Sequence, residues 1–496
     1  CYYGITKIGA IISGINPTYK SLEVLHQCKT IGAKYLVVLD SLYEEMVKPF
    51  VDDGRWNFDK IIYTNVADNA DGLSSFKKIL GKLFGKIPKG KVDHPNAVKW
   101  LDCLKAEPNP PKIKINPAED TATFIMTGGT TGVPKAAILT HENVYSNAKQ
   151  CEFLLVNQKE NPDDPDLGHK TVMMAVLPYF HSFAMTTIMN VSVASGSAIW
   201  CYPRPPDTEV ILNDISTMAF PDGSEPNGIC YCGAEILFKR IADLPQEVLD
   251  KYRLKGRIKL CMSGAGALHD YVRIPFEEKT GAALSEGWGL TEASPVLTVN
   301  NFFGEREPGY VGVPISGTDV QIFDTVDFSK GPLPMGEVGE MCAAGPQIMK
   351  GYYGRETEEL KEWDGKTWLL TGDIGVMDKE GRFKIKDRKK QLIKMSGHSV
   401  FPTEVEQLMG SHPDIEEVAV AGLPDEKLGE AVKAWVVLKE GASITPDEII
   451  AWSKENMTGW KCPKYVDIIK EVPKNVLGKV LRRTLQEADP LWKPKE

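Results

Sequence analysis

Positive charge is what this 496-residue chain has too little of: Lys and Arg number 58 against 67 Asp and Glu, a formal net charge of −9. That deficit excludes a nucleic-acid binder that works through bulk electrostatics. Long hydrophobic runs are missing as well. Residues 171–203 carry no Asp, Glu, Lys or Arg, yet Pro178, His181, Asn190 and scattered Ser and Thr interrupt them. No run reaches the ~18 apolar residues that a bilayer span requires, so the stretch reads as a buried strand, turn and helix beside an apolar ligand. Paired CxxC units are absent. Ten cysteines are scattered along the chain, and Cys230 and Cys232, one residue apart, have no His-rich segment to join. Buried thiols in a reducing compartment fit this pattern better than zinc or disulfides. No repeat or low-complexity tract is evident.

What is present is a globular balance, 42% hydrophobic and 25% charged, long enough for roughly three domains or one large and one small. The chain begins at Cys1 inside an apolar periodic stretch (Ile5, Ile8, Ile11, Ile12, Ile15), which reads as a fragment with residues upstream. Short apolar runs at 35–39, 123–126, 172–177 and 259–262 predict strands of parallel sheets covered on both faces. Residues 71–111, rich in Lys, Gly and Pro, read as a loop or surface excursion, and 161–166 as a second polar loop. From Val311 the texture changes to short strands at 320–323, 338–343 and 382–385, a small β-rich subdomain. After the charged run 387–390 a new α/β pattern begins, with a helix near 403–409, strands at 418–421 and 434–438, and a helix after Pro446. The expected architecture is α/β: a large domain over 1–386, then a small C-terminal domain over 387–496.

The strongest local signal is Thr127-Gly128-Gly129-Thr130-Thr131-Gly132-Val133-Pro134-Lys135, between a predicted strand and a helix that Thr140 could cap. Glycines let backbone N–H groups turn toward an anion, threonines add hydroxyls, and Lys135 adds charge. A plain Gly-rich turn explains such a string about equally well on its own. A Walker loop is excluded because Lys135 follows Pro134, and Gly264-Ala265-Gly266 lacks the third glycine of a dinucleotide fingerprint, position 269 being His.

Four further segments follow in order: Glu286-Gly287-Trp288-Gly289-Leu290-Thr291-Glu292, Thr371-Gly372-Asp373, Asp387-Arg388-Lys389-Lys390, and Pro473-Lys474 with Gly478-Lys479. Together the five motifs resemble the adenylate-forming superfamily of acyl-CoA synthetases, peptide-synthetase adenylation domains and luciferases. The resemblance runs from Asn16-Pro17 to Arg483. Glu292-Ala293-Ser294-Pro295, Asn300 and 303–306, with 345–353, are most similar to long-chain fatty-acid–CoA ligases.

The resemblance implies a two-step reaction: a carboxylate attacks the α-phosphorus of ATP, and the thiol of coenzyme A then displaces AMP. It implies Lys479 as the cation touching carboxylate and α-phosphate, Glu292 as the Mg²⁺ ligand, and Thr291 at the α-phosphate. Asp373 would accept the ribose hydroxyls, with Arg388 beside it. Trp288, where relatives usually have Tyr, would pack on adenine between Gly287 and Gly289, with Gly264, Ala265 and Gly266 on the other side. His181 would position the substrate carboxylate and not act as a base, since a fatty acid is already ionised at pH 7. Lys390 falls at the hinge, about 388–390, and Ser396 and Gly397 at the coenzyme A tunnel. Gly128, Ala136, Gln391 and Asn475 replace the usual Ser, Gly, Asp and Thr. The expected partners are a fatty acid, ATP and coenzyme A, with no nucleic acid, in a cytoplasmic setting that admits peripheral membrane association and a homodimer. An aryl or other small-acid ligase, an enzyme that loads a carrier protein, and a non-catalytic nucleotide-binding relative are the competing readings.

Overall fold

The structure is a computed structural model that describes residues 1–70, 72–127, 134–156, 170–302, 306–395, 398–425, 427–475 and 478–492. The chain divides into two compact units. One gathers Cys1–Val144, Tyr179–His181 and Met349–Thr357; the other gathers Tyr145–Pro178, Ser182–Ile348 and Glu358–Glu496.

In the first unit, strands Tyr35–Leu39, Lys60–Thr64 and Ala97–Lys99 form a parallel sheet. Helix Ser21–Ile31 supplies Val24, Leu25 and Cys28 to a core completed by Phe50, Phe58 and Ile61. The expectation of burial on both faces fails here. Leu36 is buried while Tyr35 and Val37 on the opposite face are exposed, the alternation of a sheet with one covered side. Strand Thr121–Thr127 also departs from the parallel expectation and pairs antiparallel with Lys135–Thr140. The connection is too short for a crossover, which needs a dozen or more residues. Strand Gly351–Tyr352 adds to the other edge of Lys135–Thr140. At the start of helix His141–Val156 the Thr140 hydroxyl accepts the Asn143 backbone N–H (3.2 Å) and the Asn143 side-chain Oδ1 accepts the Thr140 N–H (2.9 Å), so the predicted cap is made. The apolar opening stretch is helical only over Tyr2–Lys7, with no buried residue.

The excursion at 71–111 is more ordered than its composition suggests. It contains strand Ala97–Lys99 and helices Ser75–Leu83 and Trp100–Cys103. Ser74 caps the first of these helices by accepting the Lys77 N–H. The polar loop expected at 161–166 lies outside the described residues.

The second unit is built on a seven-stranded sheet in the order Val313–Pro314, Val296–Val299, Leu284–Gly289, Ile258–Ser263, Gly228–Gly233, Thr171–Ala175, Ala198–Cys201. From Leu284–Gly289 to Ala198–Cys201 the pairings are parallel, and the two strands at the other edge are antiparallel. Successive residues feed opposite cores: Met173, Cys230 and Met262 pack on one side with Phe183, Ile188 and Val296. Met174, Tyr231 and Cys261 pack on the other with Phe238, Val272 and Phe276. Here the two-sided burial predicted for 172–177 and 259–262 holds. The charge-free stretch is a buried strand followed by helical turns Ser182–Ala184, Met185–Asn190 in π geometry, and Val191–Ser195. Such π turns interrupt helices most often at functional sites.

An antiparallel sheet follows, in the order Asp319–Phe323, Val338–Ala344, Lys366–Met377, Leu360–Trp363, with Phe383–Arg388 also paired to Lys366–Met377. Strands Ile393–Met395, His398–Val400 and Tyr465–Ile468 complete a last sheet around the hairpin Ile415–Asp425 and Gly429–Leu438. Their core holds Val405, Met409, Val420, Val432, Val436 and Ile449, under helices Pro402–Met409 and Pro446–Asn456. All ten cysteines are thiols, seven of them buried.

Candidate functional site

The site is densest around Asp373. Strands Lys366–Met377 and Phe383–Arg388 are antiparallel, and their register places Asp373 directly opposite Arg388. The buried Asp373 carboxylate is therefore met by the Arg388 guanidinium, Nε to Oδ1 at 2.6 Å. Its second oxygen accepts the indole N–H of Trp288 at 2.8 Å. Trp288 is buried on strand Leu284–Gly289. A buried carboxylate held by two donors is fixed in direction. Gly372 (φ +73°) turns the strand just before it, and its N–H donates to the buried Glu340, which in turn pairs with Lys389 at 2.7 Å.

Thr291 and Glu292 begin the 3₁₀ turn Thr291–Ala293 that follows the Trp288 strand. The chain doubles back tightly there. Leu290 N–H donates to the Pro295 carbonyl (3.0 Å), and a Cβ on Gly289 would lie 2.0 Å from that same oxygen. Both Thr291 and Glu292 are half-buried, and the Thr291 hydroxyl lies 3.4 Å from that of Ser182. Gly264, Ala265 and Gly266 leave the end of strand Ile258–Ser263. A Cβ on Gly264 would touch the Phe183 ring at 3.0 Å, and Ala265 holds the left-handed region at φ +70°. Strain of this kind gathers at binding sites. A Cβ on Gly287 would press on the Met262 sulfur at 3.1 Å.

Lys479 stands on a turn. The Asn475 N–H donates to the Lys479 carbonyl (2.9 Å), the Lys479 N–H donates to the Asn475 side chain (3.0 Å), and Gly478 takes φ +79°. Asn475 thus holds both backbone polar groups of Lys479. The half-buried ammonium is held down to about 8, first by desolvation, then by Arg388, while Asp373 and Glu292 pull the other way. The structure accordingly brings Lys479, Arg388, Asp373, Trp288 and Glu292 into one electrostatic neighbourhood.

In the first unit, Thr127 and Lys135 are register partners across their hairpin, and the Lys135 ammonium sits 4.4 Å from the centre of the Tyr352 ring. The half-buried His181 follows Phe180, whose backbone packs so closely on Gly14 that a Cβ there would lie 2.8 Å away. Gly128, Gly129, Thr130, Thr131 and Gly132, and Ser396 and Gly397, lie outside the described residues. Lys390 is exposed in the turn Lys389–Gln391.

Sequence reasoning passed over several groups. The Trp288–Asp373 bond joins residues 85 apart and leaves no sequence signal. Glu340 does leave one, an acid within the apolar run Val338–Ala344. Arg482 is another such group, donating to Gln391 at 2.6 Å. Glu286, raised to about 8 by burial and opposed by the Leu268 N–H, lines a cavity of about 80 Å³ with Arg273, Asn300 and Arg306.

Known proteins share the architecture of this chain over nearly its whole length. Residues 1–353 match the model of the AMP-binding enzyme family, and 404–479 that of the AMP-binding enzyme C-terminal domain. A long-chain-fatty-acid–CoA ligase of Bacillus subtilis (strain 168) is 35% identical over 494 residues, 98% of this chain and 83% of that protein. A 4-coumarate–CoA ligase of Vanilla planifolia is 30% identical over 495 residues, 98% of this chain and 80% of that protein. Among solved structures, ATP-bound MatB from Rhodopseudomonas palustris is similar in fold, with TM-score 0.75, 24% identity and coverage of 98% of this chain and 85% of that one.

Proposed function

This chain belongs to the AMP-binding enzyme family, and from that premise we propose that it joins a long-chain fatty acid to coenzyme A through an acyl-adenylate. AMP and pyrophosphate are the other products. Long-chain-fatty-acid–CoA ligases recur among its relatives over nearly the full chain, at 30–35% identity. The observation that carries the reading is the grouping of Asp373, Arg388, Trp288, Glu292 and Lys479.

The first half-reaction drives one anion onto another. At an effective dielectric of ~20, two unit charges 4 Å apart interact by about 4 kcal/mol. Without cations, that repulsion adds directly to the barrier. Lys479 and Arg388 supply two positive charges fixed before the reaction begins, so no solvent need reorganise during it. Asp373, aimed by Trp288 and Arg388, is suited to accept both hydroxyls of a ribose. Glu292 is a single half-buried carboxylate. It suits Mg²⁺, which prefers one or two protein carboxylates with phosphate oxygens and retained water. Bound there, Mg²⁺ would supply charge neutralisation on the triphosphate.

Thr127 and Lys135 frame the threonine- and glycine-rich segment that we assign to the phosphates. His181 is assigned to positioning the carboxylate, and the charge-free helical turns to the acyl chain. The small domain is proposed to begin at 387 and to turn about Lys390 between the two half-reactions, with Ser396 and Gly397 serving the thiol. A cytoplasmic setting belongs to the same reading and is supported by ten cysteines with no disulfide.

The test is acid-dependent ATP–pyrophosphate exchange with a panel of fatty and aryl acids, then AMP release on adding coenzyme A. Long-chain acids are expected to give the highest kcat/KM. Lys479→Ala is expected to abolish exchange while largely sparing thioester formation from supplied acyl-AMP. Equal loss of both half-reactions would overturn the role given to Lys479, and preference for an aryl acid would overturn the substrate.

A further inference from the structure

Helix Ser75–Leu83 faces the wrong way for a helix that serves a protein core. Its apolar residues Phe76, Ile79 and Leu83 lie on one stripe at helical spacing, and they are 69%, 64% and 70% exposed. Phe84, just beyond, is 71% exposed. The half-buried positions on the opposite side include Lys78 and Lys82. No residue of the helix is buried.

The charge of the segment is equally one-sided. From Gly72 to Val92 there are six lysines (77, 78, 82, 86, 89 and 91) and no Asp or Glu, in a chain whose net charge is −9. A basic amphipathic helix with Phe and Leu on its apolar face is the pattern of a segment lying in the headgroup region of a bilayer, with its lysines at anionic lipid. The helix has nine residues, far short of a span.

We propose that the segment from Leu73 to Lys91 docks this protein on an anionic lipid bilayer, Phe76, Ile79, Leu83 and Phe84 entering the headgroup–acyl boundary and the lysines meeting lipid phosphates. Charge complementarity selects this occupant. A second copy of the same patch would bring six lysines against six across a two-fold interface, where like charges oppose association. The proposal stands apart from the assignment of the acyl substrate.

Co-sedimentation with vesicles tests it, using phosphatidylcholine alone and phosphatidylcholine mixed with phosphatidylglycerol. The full chain is expected to pellet with the mixed vesicles and at least tenfold less with the neutral ones. The association should fade at ~1 M salt, where the Debye length is about 3 Å. Phe76→Ser with Leu83→Ser, and separately Lys77→Glu with Lys86→Glu and Lys89→Glu, should each lower binding about tenfold. Because these positions are exposed, thermal unfolding should be unchanged. Equal binding to both vesicle types, no binding to either, or full binding by the variants overturns the proposal. So does a dimer in light scattering that the serine variant dissolves in the absence of lipid.

Discussion

Trp288 aims its indole N–H at Asp373, and in the proposed site its flat face would also serve a base, two tasks that a tyrosine at its place would divide differently. Trp288→Phe keeps most of the face and removes the donor, which leaves Asp373 held by Arg388 alone. A hydrogen bond to a charged group contributes ~1.5–3 kcal/mol, so KM for ATP should rise about tenfold. The same variant should bind 2′,3′-dideoxy-ATP as the parent does, because no ribose hydroxyl then depends on the orientation of Asp373. Lys479 gives a second expectation at this scale. Its ammonium titrates near 8 in the nucleotide-free protein and must be charged to attract phosphate. The kcat/KM for ATP, which reports the free enzyme, should therefore be level below pH 8 and fall about tenfold per unit above it. Lys479→Arg should remove that alkaline limb, since guanidinium stays charged.

At the scale of elements, the turn at 387–391 is tied to the C-terminal sheet and helices by a small polar lattice. Asp387 accepts the Thr403 N–H at the start of helix Pro402–Met409 (2.8 Å), and burial raises its pKa while Arg482 opposes. Arg482 forks onto Glu406 at 2.9 and 2.5 Å and reaches Gln391. Removing one partner of such a pair strands the other charge. Arg482→Ala should thus cost about 3 kcal/mol in urea unfolding, with Arg482→Lys recovering part of it. Much of this level could be read in advance. Runs at 320–323, 338–343 and 434–438 became strands because residues that are mostly buried leave a strong apolar imprint. The helix Ser75–Leu83 was hidden by Lys and Gly, which lower the apolar average without breaking the 3.6-residue spacing of Phe76, Ile79 and Leu83. The pairing direction of Thr121–Thr127 was legible only from the length of the connection after it, and one-sided burial of Tyr35–Leu39 depends on what packs there. Of the site, the residue types were legible and their mutual bonds were not: Trp288 and Asp373 meet only through the tertiary fold.

At the scale of the whole molecule, ligand binding and folding are linked. Asp373 lies on the long strand Lys366–Met377 of the antiparallel sheet, and a nucleotide held there should stabilise the native state by about 2.7 kcal/mol at 100 times Kd. ATP should raise Tm by a few degrees, and Asp373→Asn should abolish most of that rise while changing the ligand-free Tm less. The glycines of the candidate site carry a last consequence. A methyl group at 289 would collide with a carbonyl 2.0 Å away, whereas one at 266 would meet nothing within 4 Å. In a saturation library sorted first for abundance and then for turnover, position 289 should be purged at the abundance gate. Position 266 should pass that gate with many side chains and be thinned only at the second. The contrast would separate glycine kept for the sake of the polypeptide from glycine kept for what the polypeptide holds.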